Sequence, residues 1–474
     1  MNYQKTFEKV SRTQVLVVGA GLGGVAAAIA SARSGADTLL IERNGYPGGV
    51  ATAGHCCSLF NCFVRADGSL AVGGIPYEIA SELAKRAGPG SGWEKHRGHM
   101  IFDVEKAKTA LTDLMLESGV RVRYFTPLSD VIRENGCIKG VLVTGRNGLE
   151  CIQADTYVDA TGDSDLAVLA NCSHKSIACK ASYLFRLGNV DMDRFVDYFR
   201  QNPDQYISYV DIDWEAKDAF RQYDETGTFL FPHGGGAVMD IIRNKIKSGE
   251  YREQMGTQTN LDAFQMHGIR ETGTIHIITG FTVVSDLDAG TLTDRTHEGR
   301  KIAQYVADFM RANFPGMENS YIASTADDLG VRYSRMIKTG RCLTKAMQFS
   351  SEPLEDGVGK CLIVRSERKH ADTIWGEGKT WGYQALGDGC FELPLGALIP
   401  DSVDNLIMGT GRSICAQTIS LIRVMADTMV VGQAAGTTAA TAALRGESIR
   451  SVDYPSVRAR LESFGAMEEH PAFR

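Results

Sequence analysis

A chain of 474 residues exceeds what one hydrophobic core usually fills, so two structural units are expected, with material enough for a deeply buried site. A composition of 43% hydrophobic and 23% charged residues argues against long disorder, and a net charge of -7 argues against nucleic acid as the main partner. The opening "MNYQKTFEKV" lacks an apolar leader core, no apolar run reaches spanning length, and 11 scattered cysteines are no secreted disulfide framework, so a cytoplasmic protein without a membrane partner is expected.

Residues 13–43 read as a continuous β-branched run, a glycine turn, an alanine-rich helix and a second apolar run, which is a βαβ unit. Gly19, Gly21 and Gly24 fit G-x-G-x-x-G: one for the tight turn, one for close backbone approach to a pyrophosphate, one for packing helix on strand. The helix that opens at Leu22 would offer its unpaired N–H groups to the phosphates. Glu42 follows Gly19 by 23 positions, beside Arg43, where a carboxylate can accept both ribose hydroxyls; this favours NAD or FAD over NADP.

Next comes "PGGVATAG", with Gly49 and Val50, and then "HCCSLFNC" at 55–62. A helix over 104–118 and a strand near 120–125 precede three short alternating segments at 128–134, 138–144 and 149–157, separated by Asn135-Gly136 and Asn147-Gly148. Asn-Gly is a strong hairpin signal, so a β-meander is inserted here before the chain returns to "TYVDATGDSDLA".

That return strand, ending at Ala160, Thr161, Gly162 and Asp163, resembles the flavin-facing strand end of two-dinucleotide-binding-domain flavoproteins. The segment "VDNLIMGTGRSICAQTISLIRVMADTMVVGQAAGTTAA" is similar to the closing segment of the FAD-dependent oxidoreductase family, itself distantly like fumarate reductases. In that family a strand ends at a Gly-Arg pair, here Gly411-Arg412, and a stretch matching Ile422–Met425 opens a helix through "GQAAG".

The resemblance implies FAD as cofactor and an α/β architecture: a Rossmann-like FAD-binding domain with an inserted β-meander, interleaved with a second α+β substrate or cap domain. The expected division is 1–175 with 385–445 for FAD, 176–384 for the cap, and 446–474 as a C-terminal helical extension. The implied cofactor contacts are Gly19, Gly21, Leu22, Gly24, Glu42, Arg43, Gly49, Val50, Val131, Ala160, Thr161, Gly162, Asp163, Gly411, Arg412, Arg423, Val424 and Met425.

Substrate is expected where the two domains meet. His233, Arg270, His276, Arg332, Arg335, Arg365 and Arg368 are the candidate polar groups of the cap for substrate binding, and their arginines suit a small carboxylate-bearing or oxygen-rich molecule. His55, His276, Arg332 and Arg335 are the residues expected at the chemistry, His55 as a base or a point of flavin attachment. The helix near 297–316, with Ile302, Val306, Phe309 and Met310 on one face, is expected to pack. The reaction expected is hydride transfer between a small organic substrate and flavin N5.

Two alternatives stand beside it. One is a pyridine-nucleotide-disulfide-type enzyme using Cys57 and Cys62, although Cys57 lies eight residues after Gly49 and no second nucleotide fingerprint follows. The other is a non-redox relative such as a thiazole-synthase-like protein. No four-ligand cluster with a C-x2-C pair occurs, so no metal is expected.

Overall fold

The computed structural model describes residues 7, 10–59, 63–65, 68–96, 98–206, 214–231, 244, 248, 265–278, 281–362, 390–417, 419 and 422–467. The β-branched opening run forms the strand Val10–Val18, whose last four residues are buried, and it lies centrally in a seven-stranded sheet. Thr38–Ile41 pairs parallel on one side and Gly148–Asp159 parallel on the other, with Val18 opposite both Ile41 and Asp159. This register brings three strand ends to one edge, the place where open α/β sheets bind ligands.

The meander forms as Leu128–Glu134, Cys137–Gly145 and Gly148–Asp159, with Asn135 and Gly136 both at positive φ in the first turn, as a primed turn requires. One feature differs from the sequence expectation. The third meander segment and the return strand are a single 12-residue strand, its first half pairing with Cys137–Gly145 and its end with Leu406–Met408. No turn signal lies between 149 and 159, so nothing breaks the strand.

Helix Leu22–Arg33 crosses the closing helix Met425–Arg445 on one face of the sheet. The crossing is built from small residues: a Cβ on Gly432 would collide with the carbonyl of Gly23, and one on Gly436 with that of Ala27. Gln433 adds an acceptor, its side-chain oxygen receiving the N–H of Ile75 at 2.8 Å where the next helix starts.

The second unit carries a five-stranded antiparallel sheet ordered Thr228–Phe231, Gln265–Ile269, Thr274–Ile278, Phe185–Gly188, Tyr321–Thr325. Phe195, Phe199, Phe229 and Phe231 pack behind it at centroid spacings of 5.3 to 6.0 Å, each buried ring contributing about 2–3 kcal/mol. A three-stranded sheet is built from Phe281–Val284, Cys179–Ser182 and Gly330–Val331. The amphipathic helix starts earlier than the sequence suggests, running Ala289–Asn313, because Asp288 caps it by accepting the N–H of Gly290. Ile302, Val306, Phe309 and Met310 are its buried face.

One stretch inside the span assigned to the cap sits elsewhere. Gly357–Leu362 pairs with Cys390–Pro394 and packs on the closing helix, Gly359 lying against Val430. Helix Tyr454–Ser463 leans on that hairpin, the Tyr454 hydroxyl donating to the Gly357 carbonyl at 2.8 Å. Among the described residues no helix is long and apolar enough to cross a membrane.

Candidate active site

The three fingerprint glycines do three different things. Gly19 turns at φ 102 with no room for a Cβ, which would lie 2.5 Å from the Ala160 carbonyl oxygen. Gly24 has no space either, since its Cβ would strike the Gly19 carbonyl. Gly21 faces open volume, with nothing within 4 Å of where its Cβ would stand. It precedes a helix whose first turn has no side-chain cap and no acidic residue, so the N-terminal dipole is directed at that volume.

Glu42 closes the same pocket. Its two carboxylate oxygens accept the N–H groups of Ala20 at 2.7 Å and Asn44 at 2.9 Å, and the residue lines the cavity. Burial pushes its carboxyl above the ordinary value, against those two hydrogen bonds.

The opposite rim is held by a second carboxylate. Asp159, fully buried, accepts from the Thr161 N–H, the Thr161 hydroxyl at 2.7 Å and the Ala167 N–H at 2.9 Å, and burial pushes it up to about 6. Beyond it, Arg412 donates Nε to the Gly162 carbonyl at 2.7 Å, pairs with Asp163 at 2.9 Å and reaches the Val331 carbonyl. One planar guanidinium therefore ties the closing segment to the strand end and to the cap. Asp163 also accepts from Ser334 at 2.5 Å, and Arg335 pairs with Asp165.

These walls enclose a cavity of about 1730 Å³ that runs from Glu42 and Thr126–Leu128, past Gly21 and Gly162, to Cys56, Ser58, Tyr333 and Arg423. Of the expected cofactor contacts, Gly19, Gly21, Leu22, Glu42, Arg43, Gly49, Val50, Ala160, Thr161, Gly162, Asp163, Arg412, Arg423, Val424 and Met425 line it. Three do not. Gly24 and Gly411 are packing glycines behind the wall, Gly411 abutting the Ile422 carbonyl, and the wall near Val131 is formed by Thr126, Pro127 and Leu128 instead.

The catalytic expectations divide as well. Arg332 and Arg335 are on the wall, Arg335 already committed to Asp165. His55 and His276 are not on it: their rings lie 5.5 Å apart behind Cys56, both buried. His55 adopts φ 57, a left-handed conformation unusual for a residue with a Cβ. Burial lowers its pKa to about 4 and holds that of His276 well below the ordinary imidazole value, so both are neutral at neutral pH. Arg270 sits elsewhere, stacked 4.1 Å over the Tyr223 ring and paired with Asp193 at 3.0 Å. His233, Arg365, Arg368 and Cys62 lie outside the described residues.

Cys57, the first member of the expected thiol pair, points into the core. Its Sγ is 3.6 Å from His267 Nδ1, and burial raises its pKa well above the ordinary value, which opposes thiolate formation. His267 Nε2 is 3.1 Å from the Ser58 hydroxyl, so one imidazole pins the segment that presents Cys56 and Ser58 to the cavity. The sequence reading missed this residue. Its signal was alternation: His267 and His276 stand directly opposite in adjacent strands and so share a face of the cap sheet. Among the described residues no group of three or more His, Cys, Asp or Glu side chains is arranged to hold a metal.

A family model described as FAD dependent oxidoreductase matches residues 14–461, from the first strand to the last helix. The chain belongs to the FAD dependent oxidoreductase family. FAD is the cofactor, and the open space over Gly21, the uncapped helix and the carboxylate of Glu42 fit its diphosphate and ribose. Thiamine thiazole synthase of Aeropyrum pernix is 30% identical to this FAD dependent oxidoreductase over 173 residues, 34% of the chain, and the chain spans 58% of that relative's length. Among solved structures it is similar to a geranylgeranyl bacteriochlorophyll reductase-like protein from Thermoplasma acidophilum, at a TM-score of 0.42 and 16% identity over 96% of this chain and 83% of the other. It is also similar to p-nitrophenol 4-monooxygenase from Pseudomonas putida, at a TM-score of 0.42 and 10% identity over 98% and 91%.

Proposed function

We propose that this enzyme transfers a hydride between a small organic substrate and N5 of its flavin. The observation that carries the reading is the continuity of the cavity, which passes from the glycine cradle to a far end walled by Cys56, Ser58, Arg332, Tyr333 and Arg423. FAD, when bound, supplies the two-electron acceptor or donor. Gly21, the first turn of Leu22–Arg33 and Glu42 would hold its diphosphate and ribose, and the N-terminus of Met425–Arg445 faces the cavity where negative charge on the ring needs stabilising.

On the cap side the cavity is lined by Ser182, Leu184, Gln265, Ile278 and Leu329. Arg332 is placed to orient the substrate, and the Tyr333 hydroxyl and Cys56 thiol are wall groups that carry exchangeable protons. Burial raises Cys56, so its thiol keeps its proton at neutral pH. His55 and His276 stand one layer behind as neutral imidazoles supporting that wall.

Anaerobic mixing of the flavin-loaded protein with sugars, polyols, hydroxy acids and enoates tests this reading. One class should bleach the oxidised flavin or reoxidise the reduced one. The partial match to thiamine thiazole synthase favours a second reading, in which the flavin does no net redox work and the wall thiol of Cys56 reacts instead. Turnover of a substrate with the flavin spectrum unchanged throughout would support that second reading and overturn the first.

A further inference from the structure

Arg423 occupies an unusual electrostatic position. It directly precedes Val424, the cap residue of the closing helix, and its side chain lines the cavity. Its guanidinium is enclosed by protein except where it faces that volume, and burial lowers its pKa from the ordinary arginine value. The groups whose charge it feels most are Tyr333, Cys56, Cys179 and Arg412: a phenol, two thiols and another guanidinium. Among the described residues no carboxylate pairs with it.

The acid closest in sequence does not neutralise it. Asp427, in the first turn of the closing helix, is fully buried, accepts the N–H of Leu362 and faces the Cys361 thiol, and burial raises its carboxyl well above the ordinary range. Arg412, the other cation whose charge it feels most, has its own acid in Asp163. A desolvated cation beside a helix N-terminus, with its Nε buried and without a hydrogen-bond partner and with no carboxylate paired to it, is stabilised by an incoming anion.

The neighbours of the side chain say which anion. Cys179 belongs to the cap's three-stranded sheet, Tyr333 packs against that sheet and Cys56 lines the same cavity, whereas none of the groups Arg423 feels most belongs to the diphosphate cradle at Gly19–Leu22 or to Glu42.

We propose that Arg423 anchors an anion subsite for the substrate, with the Tyr333 hydroxyl as second donor, and that the substrate of this enzyme is an organic carboxylate. A planar guanidinium matches a carboxylate through two parallel hydrogen bonds. This assignment takes Arg423 from the cofactor to the substrate, and it rests on the hydride-transfer reading only for the word substrate, because occupancy is measured without turnover.

The test is titration of the flavin-loaded enzyme with acetate and succinate, with acetamide and succinamide as neutral counterparts and inorganic phosphate as a third arm, following the flavin absorption band. The carboxylates should perturb the band saturably and the amides should not. Arg423→Gln should weaken carboxylate binding on the order of 10- to 100-fold at equal FAD content, and Arg423→Lys should recover part of it. Equal binding by Arg423→Gln, no perturbation of the parent enzyme by any carboxylate, or response to phosphate alone overturns the proposal. So does loss of FAD from both variants, or a shifted flavin potential with carboxylate binding intact, since the guanidinium would then serve the cofactor. Saturable carboxylate binding with no substrate ever reducing the flavin would overturn hydride transfer and leave the subsite standing.

Discussion

Gly23 and Gly432 meet backbone to backbone, the carbonyl of the first occupying the space a Cβ on the second would need. Because the obstructing atom is main chain, no rotamer change relieves it. Gly432→Ala is expected to lower stability by about 2–3 kcal/mol by prising the two helices apart, read as a drop in the denaturation midpoint. An unchanged midpoint would mean that the crossing is looser than described.

Gly21 and Gly24 should fail in opposite ways. Gly21→Val adds a side chain where nothing lies within 4 Å, so the chain should fold with a near-parental melting temperature and lose its flavin, because the branches fill the diphosphate space. Gly24→Ala meets the Gly19 carbonyl and should lower the melting temperature whether or not FAD is present. Flavin content and thermal melts of the two variants separate these outcomes, and a yellow Gly21→Val protein would show that the cradle lies elsewhere.

Arg412→Lys keeps the charge and loses the fork. The Gly162 and Val331 carbonyls and the Asp163 carboxylate cannot all be reached by one ammonium, so a loss of about 1–3 kcal/mol and faster FAD release are expected. Chemical denaturation and the rate of flavin loss on dilution measure both. A lysine variant that matches the parent in both would show that the clamp between the units is not needed.

Stability should fall as the solution is acidified. His55 and His267 are lowered by burial from 6.5 to about 4 and about 3, with His276 lowered too, so their contribution is complete above 6.5 and is lost as pH falls toward those values. For His55 the difference is about 3 kcal/mol. Asp159, raised by burial from 3.8 to about 6, opposes this: its contribution is complete below 3.8 and is lost as pH rises through 6, again about 3 kcal/mol. Three imidazoles outweigh one carboxyl. Melting temperatures taken between about pH 7 and pH 5 should therefore decline, less steeply in His55→Asn and more steeply in Asp159→Asn. A melting temperature that rises on acidification would contradict the burial of these rings.

Local chemistry made the nucleotide half legible from sequence: glycines where φ or backbone approach forbids a side chain, Asn-Gly at the hairpins, and an alanine-rich helix whose smallness implies a close neighbour. The site itself was half legible. Residues that follow a strand end, such as Thr161 or Arg412, sit where the register puts them. His55 does not: its ring lies beside that of His276 and off the wall, and its backbone is left-handed, a turn that no local pattern announces. His267, Tyr333 and the isolation of Arg423 depend on which segment of one unit faces which segment of the other, a long-range relation that spacing within one element cannot encode.

The strand Gly148–Asp159 has a consequence for biosynthesis. Its inner edge needs Val10–Val18, its outer end needs Leu406–Met408, and the helix that covers them ends at Arg445. An emerging chain can assemble the meander early, but the groove for the diphosphate lacks its far wall until residues through Arg445 have left the ribosome. FAD loading is thus expected to be late, and a nascent chain stalled before Met425 would expose the face of Leu22–Arg33 that is otherwise buried under the closing helix, a surface for chaperones to bind.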